Sequence, residues 1–256
     1  MSQLIIDGKT ILENIKLVLF DKDGTLIDIH HYWASMIRIR AALISQRLFP
    51  EAERAGIVDA LVNAMGVDLK TGRMKPNGPV GIKPRPYIVN VAADVVRNNG
   101  CEFSNEEMES VFVEVDEQTS KDMLPLLKLL PGVEDLLTQL KECGIAAAIV
   151  STDITSRARK AITALELDHF FTVILGGDSV AHTKPSPDLV ELALQDLQYS
   201  VSDVAVVGDH PVDIEMGKNA GVGVNIGVLT GIAASEAFTE LECNVISDLR
   251  AIEVRS

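Results

Sequence analysis

Two aspartates near the start of the chain stand where polar groups could do chemistry. Asp21 and Asp23 follow Leu17–Phe20, an apolar run with the length of a strand buried on both faces of a sheet. Other polar residues follow later apolar runs in the same way: Ser151, Thr152 and Asp153, then Lys184, then Asp209 and Asp213. Ligands of open α/β sheets collect at the carboxyl ends of the strands. We therefore expect these side chains to face one crevice.

These residue types fit chemistry at phosphorus. A carboxylate can attack phosphorus only if the charge of the phosphoryl oxygens is neutralised, which a divalent cation and a lysine can do. We predict Asp21 as the nucleophile and Asp23 as the group that protonates the leaving oxygen and then takes a proton from water. Ser151, Thr152 and nearby backbone amides are predicted to bind the phosphoryl oxygens, and Lys184 to offset their charge and that of Asp21.

The oxygen atoms of the acidic residues in this set suit Mg²⁺, which prefers oxygen ligands and keeps several of its waters. Asp21, the backbone carbonyl of Asp23, and Asp209 are predicted to form a partial metal shell that substrate phosphate completes, with Asp213 supporting that shell. Asp213 could equally be a first-turn charge on the helix that follows it. Thr25 is predicted to contact the substrate, although its hydroxyl could instead satisfy the backbone of the loop.

The elements that must position these groups are strands and helices in alternation. After the first strand, apolar runs of strand length recur at 145–150, 173–175, 204–207 and 222–226, separated by segments with helical spacing of apolar residues. This alternation predicts an α/β fold with a doubly wound, Rossmann-like parallel sheet. A short hairpin turning at Asp7-Gly8 is expected to open the chain.

A long block between the first and second strands has a different pattern. Its apolar residues have helical spacing at 33–48, 51–65, 87–98 and 105–127, without a comparable buried strand. We therefore predict a mostly helical cap at 29–130, inserted into a core formed by 1–28 and 131–256.

Composition limits the partners. The formal net charge of −14 would repel a phosphate backbone, so nucleic acid is excluded as a partner. No window reaches the roughly 20 apolar residues that a membrane span needs. The three cysteines are widely spaced and there is no signal-like first segment, which together predict a cytoplasmic protein. The expected partner is a small phosphorylated metabolite, and the expected assembly is a monomer or homodimer.

The ordered motifs resemble those of a known superfamily. Residues 21–25, Ser151, 184–188 and 208–213 are similar to the four motifs of the haloacid dehalogenase (HAD) superfamily, and the helical block lies where that family places its type 1 (C1) cap. Within it, residues 130–133, 184–188 and 227–231 resemble the branch of phosphoglycolate phosphatase and β-phosphoglucomutase. The resemblance implies a Mg²⁺-dependent enzyme with an aspartyl-phosphate.

One motif residue departs from the family pattern, and another narrows the reaction. Lys22 stands between the two aspartates, where many relatives have an apolar residue. The dehalogenases of the superfamily lack a carboxylate at the position of Asp23, because their reaction leaves no alkoxide to protonate. The presence of Asp23 therefore favours hydrolysis of phosphoesters such as phosphoglycolate or a sugar phosphate.

The same motif residues also occur in proteins with other functions. A calcium loop starting at Asp21 is excluded because Leu26 and Tyr32 occupy the places of its required Gly and Glu. A phosphomutase of the same branch would differ only in the group that accepts the phosphoryl from Asp21. A phospho-Asp signalling receiver would need neither Asp23 nor a cap, and a non-catalytic binding protein would not need the whole set.

Basic and histidine residues near the predicted cap form a further hypothesis. Positively charged residues cluster in a Gly- and Pro-rich stretch at Arg73, Lys75, Lys83 and Arg85. Such clusters are usually solvated, but Arg73 and Arg85 are candidates for binding a second anionic group of the substrate. His30, His31 and His210 lie close to the motifs in sequence, and we interpret them as ordinary loop histidines.

Overall fold

The structure is a computed structural model that describes residues 2–80, 83–195, 197 and 199–256. Their contacts divide the chain into two compact units, Met1–Asp28 with Leu127–Ser256 and Ile29–Leu126. The first unit thus resumes at Leu127 rather than at the predicted 131. Local backbone pairing explains this boundary: the carbonyl of Lys128 accepts the backbone N–H of Asp28 at 2.8 Å, and Leu129 forms an antiparallel bridge with Ile27.

A small antiparallel sheet lies at the start of the first unit. Strands β1 (Gln3–Ile6) and β2 (Lys9–Glu13) form the predicted hairpin, and β9 (Ile252–Arg255) pairs with the other edge of β1. Asp7 and Gly8 both have positive φ, at 50° and 73°, as a two-residue hairpin turn requires. The hairpin is thereby tied to the last strand of the chain.

The central sheet of the first unit has six parallel strands in the order β5-β4-β3-β6-β7-β8. Their bounds are β3 Leu17–Phe20, β4 Ala146–Val150, β5 Phe171–Leu175, β6 Val204–Gly208, β7 Val224–Val228 and β8 Asn244–Ile246. The strand order reverses direction between β3 and β6, which is the switch point where ligands of such sheets bind. The parallel sheet predicted from the apolar runs is confirmed.

The second unit is helical. Its α-helices are α1 (Ile29–Leu48), α2 (Glu51–Ala64), α3 (Arg85–Asn98) and α4 (Asn105–Thr119). Helix α4 begins with a capping box between Ser104 and Glu107 and ends at Thr119, before the predicted 127. A separate 3₁₀ turn that contains Pro125 follows at Leu124–Leu126. Arg40, almost completely buried, lies over the Phe112 ring at 4.3 Å and pairs with Asp116 at 2.8 Å.

Helices α5 (Val133–Glu142), α6 (Thr155–Ala164), α7 (Asp188–Leu194) and α8 (Pro211–Ala220) complete the first unit. The strands appear as apolar runs in the sequence because they are buried, and every residue of β3 and β6 is buried. Leu19 lies in a core cluster with Leu189 and Val206, where truncating a leucine to alanine costs about 2–5 kcal/mol. Among the described residues, no helix is both long and apolar enough to cross a lipid bilayer.

Candidate active site

The alignment of strands β3, β4 and β6 sets the position of the site. Phe20, the last residue of β3, is in register with Ile149 on one side and Val207 on the other. Asp21 continues this pattern by donating its backbone N–H to the carbonyl of Val207 at 2.9 Å. The loops after the three strands therefore leave the sheet at the same edge.

A tight loop follows Asp21. The carbonyl of Lys22 accepts from the backbone N–H groups of Leu26 and Ile27 at 3.0 Å, and the N–H of Gly24 bonds back to Ile27 at 2.7 Å. Gly24 has φ +98°, and a Cβ there would lie 2.3 Å from Oδ2 of Asp209. Only glycine can both adopt this backbone and admit the neighbouring carboxylate.

Lys184 joins two of the predicted site residues. Its Nζ lies 2.6 Å from Oδ1 of Asp21 and 2.7 Å from Oδ1 of Asp213, and its side chain is completely buried. The other oxygen of Asp213 accepts the backbone N–H of His210 at 3.0 Å in the capping box of α8. Asp213 thus has partners on both oxygens and fixes the lysine against the nucleophile candidate.

Asp209 lies in a close-fitting cradle. Thr25, fully buried, places its Oγ1 3.3 Å from Oδ1 of Asp209. A Cβ on Gly231 would lie 1.6 Å from the other oxygen of this carboxylate, Oδ2. A third contact links the surrounding loops, because Thr230 donates its hydroxyl to the carbonyl of Gly24 at 2.6 Å. These contacts leave Asp209 little freedom to turn.

The electrostatics of these groups follow from burial and crowding. Burial raises the pKa of Asp21 to about 6 despite the opposing charge of Lys184. Burial, together with the charges of Asp21 and Asp213, raises the pKa of Asp209 well above its ordinary value. Burial alone would lower the pKa of Lys184, but the two carboxylates beside it raise the pKa above its usual value. The ionised carboxylates are therefore costly until a further cation compensates them.

The charge count indicates which cation fits. Asp21, Asp209 and Asp213 carry three negative charges when ionised and Lys184 carries one positive charge, which leaves two uncompensated. Within the described parts of the chain, no three or more His, Cys, Asp or Glu side chains are grouped to hold a metal by themselves. A divalent ion held here needs backbone oxygen and water as well, which is the coordination that Mg²⁺ favours. The donor set thus fits Mg²⁺.

Asp23 belongs to a second group of charges. Nζ of Lys22 lies 2.7 Å from each oxygen of Asp23 and 3.4 Å from Oδ2 of Asp153, whose other oxygen is 3.3 Å from Arg157. Burial raises the pKa of Asp23, and the charge of Lys22 opposes that rise. A carboxyl with a raised pKa is suited to donate a proton near neutral pH.

The predicted phosphoryl-binding residues after β4 differ in accessibility. Ser151 is buried, and its Oγ accepts the backbone N–H of Asp153 at 3.1 Å. Thr152 is exposed. Ser151 therefore shapes the loop that carries both residues.

The basic residues predicted for substrate binding belong to the second unit. Arg85 pairs with Glu109 at 2.6 Å and also with Asp116, so two carboxylates balance its charge. Lys75 donates to the side chain of Asn63 at 2.7 Å, whereas the side chain of Arg73 is exposed.

The histidines near the motifs make structural contacts. Nδ1 of buried His30 accepts the backbone N–H of Met74 at 3.1 Å, and Nε2 of His31 lies 3.3 Å from the carbonyl of Pro125. His210 caps α8 through Val212. His30 and His31 lie in α1, which begins at Ile29 instead of the predicted 33, so the interpretation as loop histidines is wrong for these two and holds for His210, the N-cap of α8.

Three features of the site were missed from the sequence: the contact between Lys22 and Asp23, the Gly231 wall of the Asp209 cradle, and the bond from Thr230 to Gly24. The only signal for the last two was the motif-like stretch 227–231, which ends in a glycine. Sequence spacing does not reveal that this stretch returns to the first loop.

Comparison with known proteins gives a consistent result. A family model for haloacid dehalogenase-like hydrolases matches residues 15–221. The chain is 28% identical over 237 residues to a probable phosphatase, IndB, of Dickeya dadantii, covering 91% of this chain and 89% of that protein. It is 27% identical over 240 residues to a phosphoglycolate phosphatase of Vibrio cholerae, covering 93% and 94%. The crystal structure of YfnB from Bacillus subtilis bound to magnesium shares the fold, with a TM-score of 0.59 at 19% identity and coverage of 93% and 96%.

Proposed function

Because this chain belongs to the haloacid dehalogenase-like hydrolases, we propose that it is a Mg²⁺-dependent phosphatase acting on a small phosphorylated metabolite through a phosphoryl group carried by Asp21. The observation that carries the proposal is the buried contact of Lys184 with Asp21 and Asp213 at 2.6 and 2.7 Å. A buried ammonium beside a carboxylate that still needs a divalent cation is the arrangement that nucleophilic attack on a phosphoester requires.

The reaction follows from the positions of the two aspartates. The free carboxylate oxygen of Asp21 attacks phosphorus, and the bond to the ester oxygen breaks while Asp23 gives that oxygen a proton. Asp23, now ionised, takes a proton from a water molecule that attacks the same phosphorus, which releases phosphate and regenerates Asp21. Bound Mg²⁺, held by Asp21, Asp209 and the carbonyl of Asp23, would supply charge neutralisation for the phosphoryl oxygens.

The neighbouring residues support these groups. The hydroxyl of Thr25 contacts the Asp209 carboxylate, so we assign Thr25 to holding Asp209 rather than to contacting the substrate. Asp213 holds Lys184 in place, and Ser151, Thr152 and the backbone of their loop bind the phosphoryl oxygens. The magnesium bound in YfnB supports the assignment of the cation.

The substrate class is proposed from a relative and from one exposed cation. The similarity to a phosphoglycolate phosphatase over 93% of this chain favours a small carboxylated phosphoester, with a sugar phosphate as the next choice. Arg73 is the better candidate for a second anionic group of the substrate, because the charge of Arg85 is already balanced by Glu109 and Asp116.

The test is phosphate release from a panel of phosphorylated metabolites, with Mg²⁺ and with EDTA. We expect release only with Mg²⁺, its loss in Asp21→Asn, and its retention in the control Asp135→Asn, which makes the same change at an exposed position. Release of free phosphate also separates hydrolysis from transfer to a second hydroxyl. Equal release by Asp21→Asn and the unchanged protein would refute the mechanism.

A further inference from the structure

Lys22 is a buried lysine at a motif position where many relatives have an apolar residue. It directly follows Asp21, and only 1% of its surface is exposed. Burying a lysine is costly unless its ammonium is well paired, because the charge leaves water. Its partners should therefore explain its presence.

The contacts of Lys22 place it in a chain of alternating charges. Its Nζ lies 2.7 Å from both oxygens of Asp23 and 3.4 Å from Asp153, which in turn lies 3.3 Å from Arg157. When Asp23 and Asp153 are ionised, these four side chains carry two charges of each sign. This group differs in its charge count from the group of Asp21, which keeps two uncompensated negative charges.

The contact with both oxygens restricts the Asp23 carboxyl without using all of its bonding capacity. A carboxylate has about four lone-pair sites, and the single ammonium takes one on each oxygen. The remaining sites are free to exchange a proton with a leaving oxygen or a water. A group that must first give and then take a proton needs a fixed orientation, because a displacement of about 1 Å costs much of the catalytic effect.

We propose that Lys22, anchored by Asp153, is a positioning residue that holds the Asp23 carboxyl in the orientation for proton transfer to the leaving group. This proposal rests on the proposed function, since it assumes that Asp23 protonates the departing oxygen. Lys22 acts through the Asp23 carboxyl and is itself neither the nucleophile nor the proton donor of the reaction.

The proposal has a chemical signature that a purely structural lysine would lack. Departure of a weakly basic leaving group needs no proton, whereas an alkoxide leaves only when it is protonated. A protein that has lost the orientation of Asp23 must therefore lose more activity as the leaving group becomes more basic. The value of kcat/KM reports this step, because release of the leaving group precedes hydrolysis of the phosphorylated Asp21.

The experiment compares Lys22→Met with the unchanged protein on 4-nitrophenyl phosphate, phenyl phosphate and glycerol 2-phosphate, in order of rising leaving-group basicity. General acid catalysis contributes about 10²–10⁴-fold, so the ratio of kcat/KM for glycerol 2-phosphate to that for 4-nitrophenyl phosphate should fall at least about tenfold. Lys160→Met, the same change at an exposed position of α6, should leave the ratio as it was.

A double mutant separates positioning from stability. If Lys22 acts through Asp23, adding Lys22→Met to Asp23→Asn should lower kcat/KM by no more than about threefold beyond Asp23→Asn alone. Melting temperatures of all variants verify that they are folded. If Lys22→Met does not fold, Asp153→Asn is measured instead. Removing the charge of Asp153 that holds Lys22 should give the same dependence on leaving-group basicity, with a smaller loss of kcat/KM.

The outcomes distinguish the two proposals. Absence of Mg²⁺-dependent release from 4-nitrophenyl phosphate by the unchanged protein would contradict the proposed function itself. If that release occurs and Asp21→Asn abolishes it, an equal loss on all three substrates in the Lys22 or Asp153 variant would overturn the positioning role. Full additivity in the double mutant would overturn it as well.

Discussion

Replacing Asp21 by Asn is predicted to stabilise the metal-free protein while it abolishes turnover. Burial raises the pKa of Asp21 from its ordinary value of 3.8 to about 6 in the folded protein. One pKa unit corresponds to about 1.36 kcal/mol, so the charged carboxylate costs the fold about 3 kcal/mol at neutral pH. Asn has nearly the same shape and no charge to bury. Because Lys184 loses one partner in the variant, about 3 kcal/mol is an upper limit for the gain.

The pH dependence of this gain has a definite sign. A group whose pKa is higher in the folded than in the unfolded state stabilises the fold below its unfolded pKa, and that stability is lost as the pH rises through the folded value. The unchanged protein should therefore lose stability between about pH 4 and 7 through Asp21, whereas Asp21→Asn should not. The difference in unfolding free energy between the two should be near zero at pH 4 and approach 3 kcal/mol above pH 7.

The assay is urea denaturation of both proteins in EDTA at pH 4 and pH 7.5. For a chain of this size, each kcal/mol also shifts the melting temperature by about 2–4 °C. Adding Mg²⁺ at a hundred times its dissociation constant should stabilise the unchanged protein by about 2.7 kcal/mol and Asp21→Asn by less. A difference that is constant with pH, or a variant that is less stable at pH 7.5, would refute the reasoning.

Three further predictions concern other parts of the site. Gly231→Ala should raise the Mg²⁺ dissociation constant at least about tenfold in calorimetric titration, because its Cβ would lie 1.6 Å from Oδ2 of Asp209 and displace this carboxylate. An unchanged dissociation constant would show that Gly231 is not needed to position Asp209 for the metal. Lys184→Met should lower kcat at least about 100-fold and destabilise the fold by about 3–5 kcal/mol. The control Lys218→Met, at a more exposed lysine, should change the free energy of unfolding by less than about 0.5 kcal/mol. Similar effects at both lysines would contradict the special role of Lys184. Arg73→Ala should raise KM for carboxylated phosphoesters and leave KM as it was for alkyl phosphates that have no charged group besides the phosphate. Equal changes for both would argue against a second anion site.

The parallel sheet was readable from the sequence because burial on both faces forces continuous apolar runs. Strands β3 and β6 are buried throughout, and their runs at 17–20 and 204–207 mark them within one residue. The runs at 173–175 and 222–226 differ from the bounds of β5 and β7 by two residues. Strand β8 gave no such signal, since only Ile246 of its three residues is buried. Strand β9 has the alternating burial of an antiparallel strand, but four residues are too few to separate that pattern from chance.

From the sequence, only those site residues could be predicted that follow an apolar run and have a side chain suited to the chemistry. Asp21 and Lys184 lie far apart in sequence, yet their motifs predicted that they would face one crevice, and their atoms are in contact. The partners of Arg85 could not be predicted, because Glu109 and Asp116 lie on a different helix and local charge counting does not reveal them. The cradle of Asp209 was hidden because Thr25 and Gly231 lie far apart in sequence and meet at this carboxylate only in the folded chain.

The most direct test of the central claim uses Asp23→Asn with 4-nitrophenyl phosphate and Mg²⁺. This substrate needs no proton to release its leaving group, but hydrolysis of the phosphorylated enzyme needs the base that the variant lacks. We predict a burst of nitrophenol stoichiometric with enzyme, followed by slow turnover, and peptide mapping after an acid quench should find the phosphoryl group on Asp21. Turnover without a burst, or a phosphoryl group on any other residue, would contradict the account.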